Sequence, residues 1–263
     1  MRRASEPHVP RRKRLDVLLV ERGLAGSRAQ AYALVLAGLV RGHSKPGEHL
    51  EESVELEVEQ PPRFVSRGGE KLAHALDALE ISVTDASCLD VGASTGGFTD
   101  CLLQRGAARV VALDVGYGQL HPRVRNDPRV HVLERVNARE LAELPFAPEV
   151  IVCDVSFISV RTVMPPVLRL AAPGWRALVL VKPQFEAGRQ EARKGVVRDR
   201  DVHRRILRST VEAALEWPAR TMGVVDSGLP GPKGNREFFL HLVHDDHPQL
   251  PDQLDRWIEA AVA

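Results

Sequence analysis

The chain has 263 residues, 44% hydrophobic and 27% charged, with a formal net charge of +1. This is an ordinary soluble composition, long enough for one sizeable core and a small companion domain. A net charge so near zero excludes a uniformly basic nucleic-acid binder, so any basic surface must come from local segregation. Cys88, Cys101 and Cys153 lack metal-ligand spacing, and two of them fall in or beside apolar strand runs, as reduced, buried cysteines of a cytoplasmic protein would. No apolar run approaches a membrane span. Nor does the basic start lead into a secretory core, because Leu15–Val20 is short and interrupted by Asp16.

Residues 1–11 are polar and proline-bearing and predict a disordered basic tail. Arg2, Arg3, Arg11, Arg12, Lys13 and Arg14 face only Glu6 as an opposing charge. Leu15, Leu18 and Leu19 then fall at helical spacing, with Gly23 near the helix end. Ser27 is a good N-cap for a second helix, Arg28 to Ala37, closed by Gly38. Leu39 to Gly42 reads as a short strand and turn. Strict alternation over Val54–Glu59 predicts a strand with Val54, Leu56 and Val58 toward a core. These elements predict a small α+β domain over residues 12–60. Pro61 and Pro62 open a stiff linker over 61–65, and a second domain occupies 66–263.

The second domain begins with Ser66-Arg-Gly-Gly-Glu-Lys71 and a helix marked by Leu72, Leu76 and Leu79. The stretch Cys88-Leu-Asp-Val-Gly-Ala-Ser-Thr-Gly-Gly-Phe-Thr-Asp100 follows, and reads as strand, glycine turn and helix start. Gly92, Gly96 and Gly97 allow a sharp turn and leave main chain open to a ligand. The next apolar run ends in Asp114, about twenty residues on, where a carboxylate can accept from ribose hydroxyls. Together these features predict a nucleoside-cofactor site, without separating NAD from S-adenosylmethionine.

Further strands are predicted at Val110–Val115, Val130–Leu133, Val150–Val155 and Ala177–Val181, with helices at Phe98–Arg105, Val160–Leu170 and Asp201–Glu216. The alternation predicts a doubly wound, mostly parallel α/β sheet with ligands at the carboxyl ends of its strands. A turn-rich loop, Leu229 to Arg236, before Glu237–Val243 predicts a hairpin with an antiparallel last strand. That ending suits a methyltransferase sheet better than a dehydrogenase. Asp154 and Lys182 close the fourth and fifth strands and are expected to converge on one crevice, with Glu237 opening the last strand. A lysine after an apolar strand is costly unless a carboxylate or a reaction requires it.

Two resemblances sharpen this reading. Arg14-Leu-Asp-Val-Leu-Leu-Val-Glu-Arg-Gly-Leu-Ala-Gly-Ser-Arg-Ala-Gln30 resembles the RNA-binding module named after ribosomal protein S4. Nearly the whole chain, apart from the first dozen residues and the last twenty, resembles the TlyA family of haemolysin-A-like ribosomal RNA 2′-O-methyltransferases, related to the FtsJ-type enzymes. The resemblance rests on Asp90–Thr99, Asp114–Leu120, Arg125–Arg129, Asp154–Ser159, Val181–Glu186 and Gly231–Asn235. It implies a Rossmann-like fold that uses S-adenosyl-L-methionine, with Lys71, Asp154, Lys182 and Glu237 as the catalytic set. Gly92, Ala93, Ser94, Thr95, Gly96, Gly97, Phe98, Asp114, Val115 and Asp154 would hold the cofactor, and Tyr117 could lie beside the adenosine or serve packing. Arg11, Arg12, Lys13, Arg14, Arg22, Arg28, Arg41 and Arg67 would meet RNA, with ribosomal RNA or ribosomal subunits as partner. No metal and no membrane are implied. Two other readings stay in play: an NAD-dependent oxidoreductase, which shares the glycine turn and Asp114, and a membrane-active protein, suggested by the haemolysin name.

Overall fold

The chain folds as two units, Met1–Pro62 and Arg63–Ala263. The computed structural model describes residues 11–59, 62–188, 191–192, 195–231 and 233–263. The tail expected over 1–11 lies, apart from Arg11, outside the described residues, as do Gln60 and Pro61.

In the first unit, β1 (Arg12–Arg14) pairs antiparallel with β2 (His49–Glu51), around α1 (Leu15–Glu21) and α2 (Arg28–Leu36). Ser27 caps α2 by accepting from the Gln30 amide at 3.2 Å. Beyond each helix a glycine takes the left-handed conformation, Gly23 and Gly38 both at φ +71°. The buried centre is Leu15, Leu19, Ala25, Ala31, Val35 and Val40. One expectation needs correction. Residues 54–59 form no strand; Val58 alone bridges antiparallel to Val40. Burial still alternates, with Val54, Leu56 and Val58 half-buried and the glutamates between them exposed. Alternation reports which side faces a core and does not supply backbone partners.

The second unit opens with α3 (Arg67–Ala78), β3 (Ser87–Val91), α4 (Gly97–Gln104), β4 (Arg109–Asp114), α5 (Pro122–Arg125) and β5 (Val130–Glu134). It continues with β6 (Val150–Cys153), α6 (Val160–Leu168), β7 (Arg176–Val181), α7 (Pro183–Glu186) and α8 (Arg200–Ala214). The chain closes with β8 (Ala219–Asp226), β9 (Phe238–His244) and α9 (Leu254–Val262). Seven strands form one sheet in the order β5-β4-β3-β6-β7-β9-β8. β3 to β7 run parallel, and β9 lies antiparallel between β7 and β8, the reversed last strand that the late hairpin predicts.

Alternation along buried strands supplies both faces. Val179, Val181 and Phe238 pack with Met164 and Leu207 on one side, while Leu178, Leu180 and Phe239 pack with Leu72 and Leu102 on the other. The three cysteines are free and buried, and burial pushes the Cys88 and Cys101 thiols up to about 12. Strand β8 and helix α9 add to the elements that the sequence predicts. Phe64, expected in a linker, is 3% exposed and packs with Leu72 and Phe98. A Cβ on Gly69 would lie 2.3 Å from the Phe64 ring, so this close approach requires the glycine.

Candidate active site

The switch from β3 to β4 on one side and β6 on the other opens a crevice above the carboxyl ends of these strands. At its floor Asp90, wholly buried, accepts from the Thr99 amide at 2.9 Å and the Thr99 hydroxyl at 2.6 Å. These bonds close the turn from strand to helix. Burial raises the Asp90 carboxyl to about 7, with Asp154 and Asp114 adding repulsion. Gly92 takes φ +86°, and a Cβ there would meet the Asp154 carbonyl oxygen at 2.6 Å. Gly96, at φ +90°, packs beneath Leu120 and Val124.

The turn is tied to the next strand through Asp114. Its carboxylate accepts from the Ser94 amide at 2.7 Å and from the Gly116 amide at 2.6 Å. A carboxylate has about four acceptor positions, so capacity for hydroxyl donors remains.

Two lysine–carboxylate pairs converge beside the turn. From α3, Lys71 Nζ donates to Glu237 Oε2 at 2.5 Å, both residues buried. Beyond β7, Lys182 Nζ lies 2.5 Å from Asp154 Oδ1 and donates to Ser156 Oγ at 2.9 Å. Gln184 reaches Glu237 Oε1 at 3.4 Å from the segment that carries Lys182.

These groups line a cavity of about 840 Å³, within the range of small-molecule sites. Lys71, Gly92, Ala93, Ser94, Thr95, Gly97, Phe98, Asp154, Lys182, Glu237 and Arg67 all contribute to its wall. Gly96, Asp114 and Val115 do not; Val115 points outward and is 74% exposed. Tyr117 is also exposed, with the Arg135 guanidinium 4.2 Å over its ring.

Several residues at or beside the cavity fall in the stretches that carry the family resemblance, but no local pattern gives their roles. Asn235, 3% exposed, accepts from the Val197 amide and donates to the Gly195 carbonyl, both at 2.9 Å. Its partners are 38 and 40 positions distant, so no local pattern reveals them. Glu186 accepts from Ser159 Oγ at 2.6 Å and the Val160 amide at 2.8 Å, fastening the segment after β7 to the segment after β6. Phe157 and Phe185 face one another with ring centroids 5.1 Å apart at the cavity wall.

The basic residues expected at RNA fall into distinct settings. Lys13 pairs with Glu21 and Glu52, and Arg41 with Glu57. Arg22 donates to the Val54 and Glu52 carbonyls. Arg14 and Arg28 share Asp16. Arg11 and Arg12 are exposed, and Arg67 donates to the Pro230 carbonyl at 2.5 Å.

The donor set suits a cationic nucleoside cofactor. The small residues of the turn at Gly92–Thr95 border the cavity, and Asp154 and Glu237 can face positive charge. The buried Asp154 Oδ1 has no well-directed hydrogen bond, although Lys182 stands beside it. Among the described residues no group of three or more His, Cys, Asp or Glu could hold a metal ion. None of the described helices is long and apolar enough to cross a membrane.

A doubly wound sheet with this strand order, a reversed β9 and a glycine turn facing lysine–carboxylate pairs defines the class of Rossmann-like methyltransferases. The model of the FtsJ-like methyltransferase family matches residues 64–244, and that of the S4 domain matches residues 13–41. The chain belongs to the FtsJ-like methyltransferases, within the TlyA family. It is 48% identical to the "16S/23S rRNA (cytidine-2'-O)-methyltransferase TlyA" of Mycobacterium tuberculosis, over 88% of this chain and 90% of the relative. It is 38% identical to "Hemolysin A" of Brachyspira hyodysenteriae, over 88% and 99% of the two chains. A solved structure from Streptococcus thermophilus, described as a hemolysin, shares 39% identity and a TM-score of 0.73, covering 96% of each chain.

Proposed function

We propose that this chain methylates a ribose 2′-hydroxyl of ribosomal RNA, using S-adenosylmethionine. The observation that carries this reading is the convergence of Lys71–Glu237 and Lys182–Asp154 on the cavity beside the glycine turn. The TlyA relative named above, an rRNA cytidine-2′-O-methyltransferase, supports the substrate class, and the S4 domain supports contact with RNA.

When bound, S-adenosylmethionine supplies a methyl group on a sulfonium, an electrophile that needs no metal to activate it. Ala93, Ser94, Thr95 and Gly97 would line its amino-acid end, with the Ala93 and Ser94 amides already committed to Leu113 and Asp114, and Asp114 would receive its ribose hydroxyls. Lys182 acts on the proton of the 2′-hydroxyl, with Asp154 and Ser156 fixing the amine. Lys71 orients the ribose and is itself held by Glu237. The basic residues of the S4 unit and Arg67 receive phosphates and fix the RNA, since phosphate contacts position a nucleic acid without reading its sequence.

The test is incubation of ribosomal RNA with methyl-labelled cofactor, followed by alkaline hydrolysis. A 2′-O-methyl group blocks cleavage of its own phosphodiester, so label is expected in an alkali-resistant dinucleotide. Label recovered wholly in mononucleotides would place the methyl on a base and overturn the reading.

A further inference from the structure

Among the basic residues of the S4 unit, Arg14 and Arg28 differ from the rest in what holds them. Lys13 and Arg41 pair with exposed glutamates, and Arg22 donates to main-chain carbonyls. Arg14 and Arg28 meet at a single buried carboxylate. Asp16, its side chain 4% exposed, accepts from Arg14 Nε on Oδ1 at 3.0 Å and from Arg14 Nη2 on Oδ2 at 3.0 Å. The same Oδ2 accepts from Arg28 Nη2 at 2.8 Å. Two guanidinium nitrogens that share one oxygen are held within about 6 Å of each other. The Asp16 amide in turn donates to the Pro46 carbonyl, and the Gly47 backbone lies against the Arg14 guanidinium.

Both arginines remain open to solvent, with side-chain exposures of 43% and 62%. Each guanidinium has five N–H donors. Arg14 uses two nitrogens on Asp16 and Arg28 uses one, so both retain donors beyond the carboxylate. The pair carries one net positive charge after Asp16 is counted, in a fixed geometry and at little further entropic cost on binding. Bidentate donation to phosphate oxygens is the strong form of such a contact.

We infer that Asp16 is a positioning residue that holds Arg14 and Arg28 as one two-guanidinium fork for an RNA phosphate. The inference rests on the reading of this protein as an RNA methyltransferase. It reverses the sign expected from charge alone. Removing a carboxylate from a surface that meets a polyanion should raise affinity, whereas loss of a brace should lower it.

The experiment measures affinity of the full-length protein for a ribosomal RNA transcript across salt concentrations. Asp16→Asn keeps the size of the side chain and removes its charge. Binding is expected to weaken roughly tenfold, the scale of a lost charge-assisted hydrogen bond, although net charge rises by one. Glu57→Gln, which frees Arg41 at an exposed pair, is the control and is expected to leave affinity unchanged or higher. Arg14→Lys with Arg28→Lys keeps both charges on exposed side chains, so its outcome does not depend on tolerance of a buried change. It too is expected to bind several-fold more weakly at every salt concentration, because a lysine keeps the charge but not the bidentate fork. Equal or tighter binding by Asp16→Asn, or wild-type affinity in the double lysine variant, overturns the fork alone. Failure of the wild-type protein to bind any ribosomal RNA removes the RNA reading, and the fork with it.

Discussion

Lys71 and Glu237 are 166 positions apart in the sequence and 2.5 Å apart in the fold, buried at the wall of one cavity. A buried pair broken on one side leaves an uncompensated charge, which costs about 3–5 kcal/mol. Glu237→Ala is therefore expected to lower stability by that order in urea unfolding. Replacing both partners, as Lys71→Met with Glu237→Leu, should recover much of the loss, because two apolar groups need no pairing. Methyl transfer is expected to be lost in both variants. Activity returning with stability in the double variant would make the pair purely structural.

Asp114 ties Ser94 and Gly116 by their amides and keeps acceptor capacity for ribose hydroxyls. Asp114→Ala is expected to weaken S-adenosylmethionine by about 1.5–3 kcal/mol in calorimetry, the range of a charged hydrogen bond. Unchanged affinity in a folded variant would remove Asp114 from the cofactor site.

Asn235 holds Gly195 and Val197 through one donated and one accepted bond. In Asn235→Asp the ionised carboxylate can still accept from the Val197 amide but opposes the Gly195 carbonyl. Once protonated, the introduced carboxyl would donate again. The ratio of variant to wild-type activity is therefore expected to rise as pH falls, from a loss of about 1–3 kcal/mol in barrier terms at neutral pH. A ratio that does not vary with pH would mean the bond to Gly195 has no part in shaping the cavity.

Asp90 gives a stability prediction with a defined sign. Its carboxyl rises from 3.8 to about 7 on burial, so the folded protein holds a proton that the unfolded chain releases. The associated stability is complete below pH 3.8 and is lost as pH rises to about 7, on the order of 4 kcal/mol in all. Asp90→Asn keeps an acceptor for Thr99 and removes the titration. The variant is expected to gain on the wild type progressively between these pH values in denaturant melts. His241 acts in the opposite direction: burial lowers its pKa to about 4, so its contribution is lost as pH falls from 6.5. The difference between variant and wild type isolates Asp90 from it. A constant difference across pH would show that Asp90 stays ionised.

Much of this architecture is legible in the chain. Short apolar runs ending in Val91, Asp114, Cys153 and Val181 mark four adjacent parallel strands, because fully buried strands tolerate little else. Lys182 is conspicuous at the end of such a run, and the structure sets Asp154 beside it. Elements whose reasons are tertiary are less visible. The alternating stretch at Val54–Glu59 looks like a strand but has a partner only at Val58. Asn235 and Glu186 lie in stretches that carry the family resemblance, but their bonds reach backbone 26 to 40 positions away, which no local pattern reveals. Asp16 reads as an ordinary helix-start carboxylate until its two arginines are seen on the same oxygen.

The central claim is that Lys182 acts on the ribose hydroxyl proton and not on cofactor binding. The most direct measurement is single-turnover methyl transfer to ribosomal RNA by Lys182→Ala at saturating S-adenosylmethionine, with cofactor affinity measured on the same preparation. The alkali-resistant methylated product is expected to fall by at least about a hundredfold, the lower end of general-base contributions, while cofactor affinity stays within a few-fold of wild type. A near-wild-type rate, or a loss wholly explained by weaker cofactor binding, would contradict the assignment.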